Sequence, residues 1–281
     1  MKRIQCLQVA MEACATRQGT FIGPILTEII GHPRLTPYRG GWCGNDVNPS
    51  VFDEKTQQTM YAYTERLGQA LYEKGYRGYF EVDYLIDVND NRFDVYLGEL
   101  NPRVTGISAM TNMSAFCNRT IPLYLFHLLE FSDTDFDLDP ADYNQQVKDF
   151  NHPAFGQLVF KHTGKALKIV TAIPATGVYK TEKGSLTFVR YADNPRELAD
   201  DEIYILRILS EGDYLYKGAD TVIVFANSQL QDAENQLTAT AESLIACIED
   251  AVRYRDLTDE EQQLTERYAK HASIKSSTDN E

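Results

Sequence analysis

The chain has no Cys-x-x-Cys pair, although five cysteines (Cys6, Cys14, Cys43, Cys117 and Cys247) are scattered through its 281 residues. That spacing fits reduced thiols and argues against both a disulfide framework and a zinc site. The five histidines are equally dispersed. His127 falls on an apolar helical stretch, where a satisfied structural role is expected. Cys43 has no histidine near it in sequence, and thiol activation needs a partner, which argues against a nucleophile. No run of 18 apolar residues occurs, so nothing is expected to span a membrane. Basic charge is scarce: 27 Lys and Arg against 41 Asp and Glu give a formal charge of -14. A nucleic-acid partner calls for a basic, phosphate-neutralising surface, so none is expected. The Gly19–Pro24 stretch lacks the Gly-Lys-Ser/Thr of a Walker loop. The Asp-x-Asp pattern at 133–139 lacks the turn glycine and distal Glu of an EF-hand, which argues against calcium. There is no internal repeat, and Met1-Lys2-Arg3 is followed by Gln5, Gln8 and Glu12 rather than by a signal peptide's apolar run. A cytoplasmic protein is the default expectation.

What is present is ordinary globular composition, 43% hydrophobic and 24% charged, and enough length for one or two domains with a substantial core. The informative stretch is Gly78–Gly106, GYFEVDYLIDVNDNRFDVYLGELNPRVTG. Two strand-like runs flank an Asn89-Asp90-Asn91 turn. Residues two apart on a strand share a face, so Glu99 and Asn101 project together and hairpin pairing brings Asp83 opposite them. Two carboxylates and an amide oxygen form a hard donor set suited to Mg²⁺. Arg103 follows two residues on, with a planar fork fit to clamp a phosphate or carboxylate oxygen. Glu81 lies on the same face as Asp83; either of the two serves as the ligand with the other behind it. Solvated charges on a wet hairpin face are the plain alternative. The order of parts, VDYLID, turn, YLGELNPR, glycine loop and helix, favours the metal reading.

At these residues the sequence resembles the ATP-grasp superfamily, which includes biotin carboxylases and other carboxylate–amine ligases. The resemblance is specific over the hairpin, extends over about the first half of the chain, and is faint beyond. It implies that Asp83, Glu99 and Asn101 hold Mg²⁺ or Mn²⁺ against ATP phosphates and that Arg103 borders the reacting anion. The activity implied is that of a ligase. Mg-ATP would activate a small-molecule carboxylate, or bicarbonate, as an acyl phosphate for attack by an amine or other nucleophile, with Arg103 and Arg17 stabilising the transferring group. Family members carry a lid with phosphate-gripping lysines and an adenine hinge, all preceding the stretch matched here. The expectation is therefore a C-terminal portion of a ligase that lacks measurable ATP affinity alone, with a separate chain as one source of the missing half. The alternative is a catalytically inactive ATP-grasp remnant serving as an interaction or regulatory partner. A metal-dependent hydrolase is disfavoured because no histidines cluster with the carboxylates. Biotin would have to come from elsewhere, since no Met-Lys-Met carrier motif occurs.

The fold class expected is α+β, a C-terminal ATP-grasp subdomain of antiparallel sheet with helices followed by a small β-rich domain. Residues 1–130 form the first part, beginning with a strand over 3–17. A glycine loop and a short helix from Pro24 to Ile30 follow, then a breaker-rich loop over 31–50 carrying Arg39, Trp42 and Cys43. That loop either closes over a ligand or plugs the core with Trp42. An amphipathic helix spans Glu54–Lys74, and a helical span from Met110 to Glu130 is interrupted at Pro122. Residues 131–154 read as an acidic linker, 155–256 as the β-rich domain with a closing helix over Asn235–Tyr254, and 257–281 as a polar tail, disordered at SIKSSTDNE.

Overall fold

The computed structural model describes residues 6–89, 92–149, 155–182, 184–195, 197–232 and 236–267. Expectations for residues 3–5, for Asp90 and Asn91 of the turn and for the SIKSSTDNE tail lie outside this set. Strand β1 (Cys6–Thr16) forms where predicted. Its neighbour corrects the sequence reading, because Gly19–Ile30 is a single strand, β2, with no loop or helix at Pro24. Burial outweighs the proline signal here: Phe21, Ile22, Ile25 and Leu26 are all fully buried. Pro24 is tolerated inside this central strand because of a β-bulge. Ala13 pairs with Ile22 and Met11 with Ile25, so Gly23 and Pro24 together oppose Glu12. The ladder is interrupted where proline has no N–H to give. A Cβ at Gly23 would lie 3.1 Å from the Glu12 carbonyl oxygen and 2.9 Å from Thr111 Cγ2.

A second correction falls in the breaker-rich stretch, whose second half is strand β3 (Trp42–Val47), paired with β2. Helix α1 (Glu54–Glu73) follows, capped by Asp53, which accepts from the Thr56 N–H. The hairpin is β4 (Gly78–Asn89) and β5 (Arg92–Asn101). Helices α2 (Ser108–Cys117) and α3 (Leu123–Phe131) are separated at Pro122, as its missing N–H predicts. The stretch read as an acidic linker contains helix α4 (Pro140–Asp149). Its Asn144 is buried against β2, accepting from the Ile22 N–H at 3.0 Å and donating to the Thr20 carbonyl at 2.9 Å.

The second half supplies β6 (Gly156–Lys161), β7 (Lys168–Ala172), β8 (Gly177–Glu182), β9 (Ser185–Arg190), β10 (Glu202–Arg207), β11 (Tyr214–Leu215), β12 (Asp220–Ala226), α5 (Ala239–Ala251) and β13 (Arg253–Asp256). The closing helix is shorter than predicted, since Arg253–Asp256 pairs as a strand with β7. Ten strands form one antiparallel sheet in the order β5-β4-β1-β2-β3-β6-β12-β10-β8-β9, and β11-β7-β13 form a smaller one. The two halves of the chain join through β3 and β6, where Gly44, Asn45 and Asp46 pair with Leu158, Gln157 and Gly156.

The two faces of the large sheet divide the labour. On one, Val9, Met11, Ile25, Val82 and Tyr84 pack with Met60 and Tyr61 of α1 and Phe126 of α3. Each fully buried apolar side chain of this size contributes about 1.5–3 kcal/mol. On the other face Ala10, Leu26 and Val47 pack under Ile107 and Met110 at the start of α2. The predicted site residues of the hairpin, Asp83, Glu99 and Asn101, project from that second face.

Candidate metal and phosphate site

The hairpin pairs as strand alternation requires. Asp83 lies opposite Glu99, and Glu81 opposite Asn101, with a bulge at Gly98 where Tyr84 pairs with Leu97. Asn101 Nδ2 donates to Asp83 Oδ2 at 3.3 Å, and an Arg103 Nη donates to Asn101 Oδ1 at 3.1 Å. Four of the five predicted site residues thus stand together at one end of the hairpin. Glu99 and Arg103 are exposed while Glu81 is buried.

Arg17 is not brought to this group. It sits at the far end of β1, where its guanidinium pairs with Glu130 at 3.4 Å, Asp133 at 2.6 Å and Asp135 at 3.6 Å. These ion pairs hold the Arg17 pKa above its ordinary value, the Asp133 hydrogen bond contributing most.

Two carboxylates that the sequence reading did not select complete the arrangement. Glu28 of β2 reaches toward Glu81 and Asp83, and one ligand oxygen from each of the three lies within 4.8 Å of the others. The ladder explains the convergence: Asp83 pairs with Ala10, Ala10 with Leu26, and Gln8 with Leu85. The small Ala10 side chain leaves room for carboxylates to meet across β1. Glu12, at the bulge, pairs with Glu81 across the β1–β4 ladder and is fully buried. Its carboxylate accepts from Tyr79 Oη at 2.6 Å, Thr105 Oγ1 at 3.2 Å and Ser108 Oγ, tying the loop that carries Arg103 to β1. The missed signal for Glu28 was a lone acid in the apolar, β-branched run Ile25–Ile30.

Burial dominates the electrostatics. It raises the Glu12 carboxyl to about 7 against the hydrogen bonds from Ser108, Thr111, Tyr79 and Thr105. It raises Glu28 to about 8, helped by the Asp83 charge. Glu81 and Asp83 are also raised, by burial first and then by neighbouring carboxylates, Asp83 chief among them for Glu81 and Glu99 for Asp83. Asp83 Oδ1 is buried without a hydrogen-bond partner. An orphaned carboxylate oxygen within a hard oxygen donor set fits a divalent cation.

Beside these carboxylates opens a cleft of about 380 Å³ lined by Glu28, Trp42, Asp83, Gly98 and Glu99. Trp42 lines it from the start of a strand rather than from a loop, and is half-buried against the core under α2. It begins β3, donates from Nε1 to Asn45 Oδ1 at 2.7 Å, and lies against Gly106. Cys43 is buried, with its Sγ at 3.3 Å from the Ile29 carbonyl and its pKa raised chiefly by burial. Those surroundings suit an inert thiol.

Three solved structures share this arrangement of elements. The biotin carboxylase domain of a thermophilic 2-oxoglutarate carboxylase, bound to ADP, aligns over 92% of this chain and 48% of its own, with TM-score 0.55 and 8% identity. Pyruvate carboxylase from Rhizobium etli aligns over 92% of this chain and 22% of its own, with TM-score 0.57 and 15% identity. The chain shares the fold of biotin carboxylase domains. The biotin carboxylase domain of a single-chain bacterial carboxylase aligns over 80% of this chain and 44% of its own, with TM-score 0.51 and 12% identity. No protein-family model matches the sequence, and no curated protein matches it. The structural likeness therefore covers the β-rich second half as well as the hairpin, and the chain spans about half or less of the length of these structures. Among the described residues no helix is long and apolar enough to cross a membrane.

Proposed function

We propose that this chain supplies the metal- and phosphate-binding part of an ATP-grasp-type ligase that activates a small carboxylate or bicarbonate for attack by an amine or another nucleophile. The observation that carries the reading is the cross-strand set Asp83–Glu99 and Glu81–Asn101, with Arg103 forked onto Asn101, inside a fold shared with biotin carboxylase domains. Asp83, Glu99 and Asn101 would hold Mg²⁺ or Mn²⁺. When bound, that ion supplies neutralisation of phosphate charge during transfer.

The chain's own residues do the rest. Arg103 is exposed just past the end of β5 and presents a planar set of donors to an anionic oxygen. Glu12, through Thr105 and Ser108, fixes the loop on which Arg103 stands. The Asn101 amide donates to Asp83 and accepts from Arg103, so ligation of an ion through Oδ1 would require the guanidinium to let go, which frees Arg103 for an anionic oxygen.

The test is ADP release from Mg·ATP by this chain reconstituted in a full-length protein, with bicarbonate plus free biotin and with a panel of small carboxylates and amines. Asp83→Ala and Glu99→Ala are each expected to abolish substrate-dependent release. Turnover equal to that of the unaltered chain in either variant rejects the assignment.

A second reading, an ATP-grasp remnant acting as an interaction partner, draws on α3. Leu125, Leu128 and Phe131 on its outer side are 42%, 62% and 65% exposed, an apolar row of the kind that marks contact surfaces. Absence of turnover together with absence of Mg·ADP uptake in the reconstituted full-length protein favours that reading.

A further inference from the structure

We infer that the chain binds a divalent cation without any nucleotide, with Glu28 of β2 as a ligand beside Glu81 and Asp83. The inference rests on the metal reading above and extends it to a strand that the sequence motif does not include.

The donors are already gathered. Ligand oxygens of Glu28, Glu81 and Asp83 lie within 4.8 Å of one another. Glu81 is only 5% exposed, and Asp83 Oδ1 is buried with no hydrogen-bond partner. No Lys, Arg or His among the described residues forms an ion pair with any of the three, in contrast to Glu130, which has two arginines. The Arg103 guanidinium donates instead to Asn101 Oδ1 and the Val104 carbonyl. Glu81 is buried and Glu28 and Asp83 are half-buried, with the Arg103 charge reaching Asp83 but forming no ion pair to it. Carboxylates crowded in this way repel one another when ionised, and a hard cation is the ligand that relieves them.

Donor count separates this from an ion delivered by ATP. Mg²⁺ that arrives on nucleotide phosphates needs only one or two protein carboxylates. Adding Glu28 and Glu81 to Asp83 and Glu99 gives a set rich enough to retain the ion with no phosphate present. The adjoining cleft, about 380 Å³ and lined by Glu28, Asp83 and Glu99, leaves room for water to complete the shell. Glu28 and the hairpin acids stand on strands held in one ladder by β1, so the set is fixed before any ion arrives.

The experiment is a titration of the whole chain with Mn²⁺ alone, followed by calorimetry and by the electron spin resonance signal of the free ion. Uptake of Mn²⁺ without nucleotide is expected. Glu28→Gln and Asp83→Asn should each weaken it roughly tenfold or more, whereas Glu65→Gln, an acid paired with Lys148 at 2.7 Å away from the cleft, should not. Glu28→Asp, which keeps the charge on a shorter stem, should retain part of the affinity. Circular dichroism and thermal unfolding of each variant separate loss of a ligand from loss of fold. No Mn²⁺ uptake by the unaltered chain overturns the inference. So does a Glu28→Gln variant that binds like the unaltered chain while Asp83→Asn does not, and that result leaves the ligase reading standing. The ligase reading fails separately if Mn²⁺ is taken up by the chain but the reconstituted full-length protein neither binds Mn·ADP nor turns over ATP.

Discussion

Trp42 rests against the bare α-carbon of Gly106: a methyl group there would lie 2.8 Å from indole Cζ3 and 3.0 Å from Cη2. The contact joins the start of β3, which lines the cleft, to the loop between β5 and α2. Gly106→Ala should therefore push the indole aside and cost about 1–3 kcal/mol, the usual penalty of overpacking. Trp42 is the sole tryptophan, so its emission reports the shift directly. An unchanged spectrum and an unchanged urea midpoint would show that the contact does not constrain the loop.

Crowded carboxylates lower the stability of a site while preparing it for an ion. Glu81→Gln removes a buried charge beside Glu12, Glu28 and Asp83. Without metal, at alkaline pH where the acids are ionised, this variant should melt roughly 2 °C or more above the parent, as expected for a gain near 1 kcal/mol. Under Mn²⁺ the order should reverse. Thermal unfolding with and without the ion distinguishes these cases, and a lower melting temperature without metal would contradict the repulsion argument.

Asp46 provides a pH-dependent contribution away from the cleft. It is fully buried on β3 and accepts from the Leu230 and Gln231 N–H groups. Burial outweighs those donors and raises its carboxyl to about 7. A folded-state pKa above the unfolded value of about 3.9 means the fold binds the extra proton. The associated stability is complete below about pH 4 and is lost as pH rises through about 7. Asp46→Asn, which cannot titrate, should show a flatter fall in urea midpoint between pH 5 and pH 8, on the order of a kcal/mol or more. Identical slopes for parent and variant would exclude Asp46 as the source.

Arg17 is expected to matter for the fold and not for the ion. With Arg77 it flanks Glu130, whose side chain is only 4% exposed, at 3.4 Å and 3.3 Å. Arg17→Ala leaves that buried acid under-compensated and should lower the melting temperature. Mn²⁺ affinity should match that of the unaltered chain. If turnover is lost with the melting temperature intact, Arg17 reaches the reacting group after all.

Much of the fold was legible because local signals agreed with one another. The hairpin alternation fixed which of Asp83, Glu99 and Asn101 share a face, and Pro122 placed the break between α2 and α3. The misreadings have one cause, local breakers overruled by long-range pairing. Pro24 signals a helix start until the bulge opposite Glu12 absorbs it. The glycines and prolines around Trp42 signal a loop until β2 supplies a partner strand. Glu28 was illegible for a related reason. Its nearness to Asp83 depends on β1 lying between β2 and β4, with Ala10 at the crossing, and strand order is not written in the residues on either side.

The seam between β3 and β6 has a consequence for how such a gene can be divided. The sheet crosses from one half of the chain to the other through three paired positions, Gly44 with Leu158, Asn45 with Gln157 and Asp46 with Gly156. A stop codon and restart placed in the 131–154 segment would create two polypeptides, each with a raw strand margin where the other had been. Such margins recruit whatever strand is nearest. Co-expression would then be the condition for either product to remain dispersed, which makes fission at this point a route to an obligate heterodimer rather than to two independent proteins.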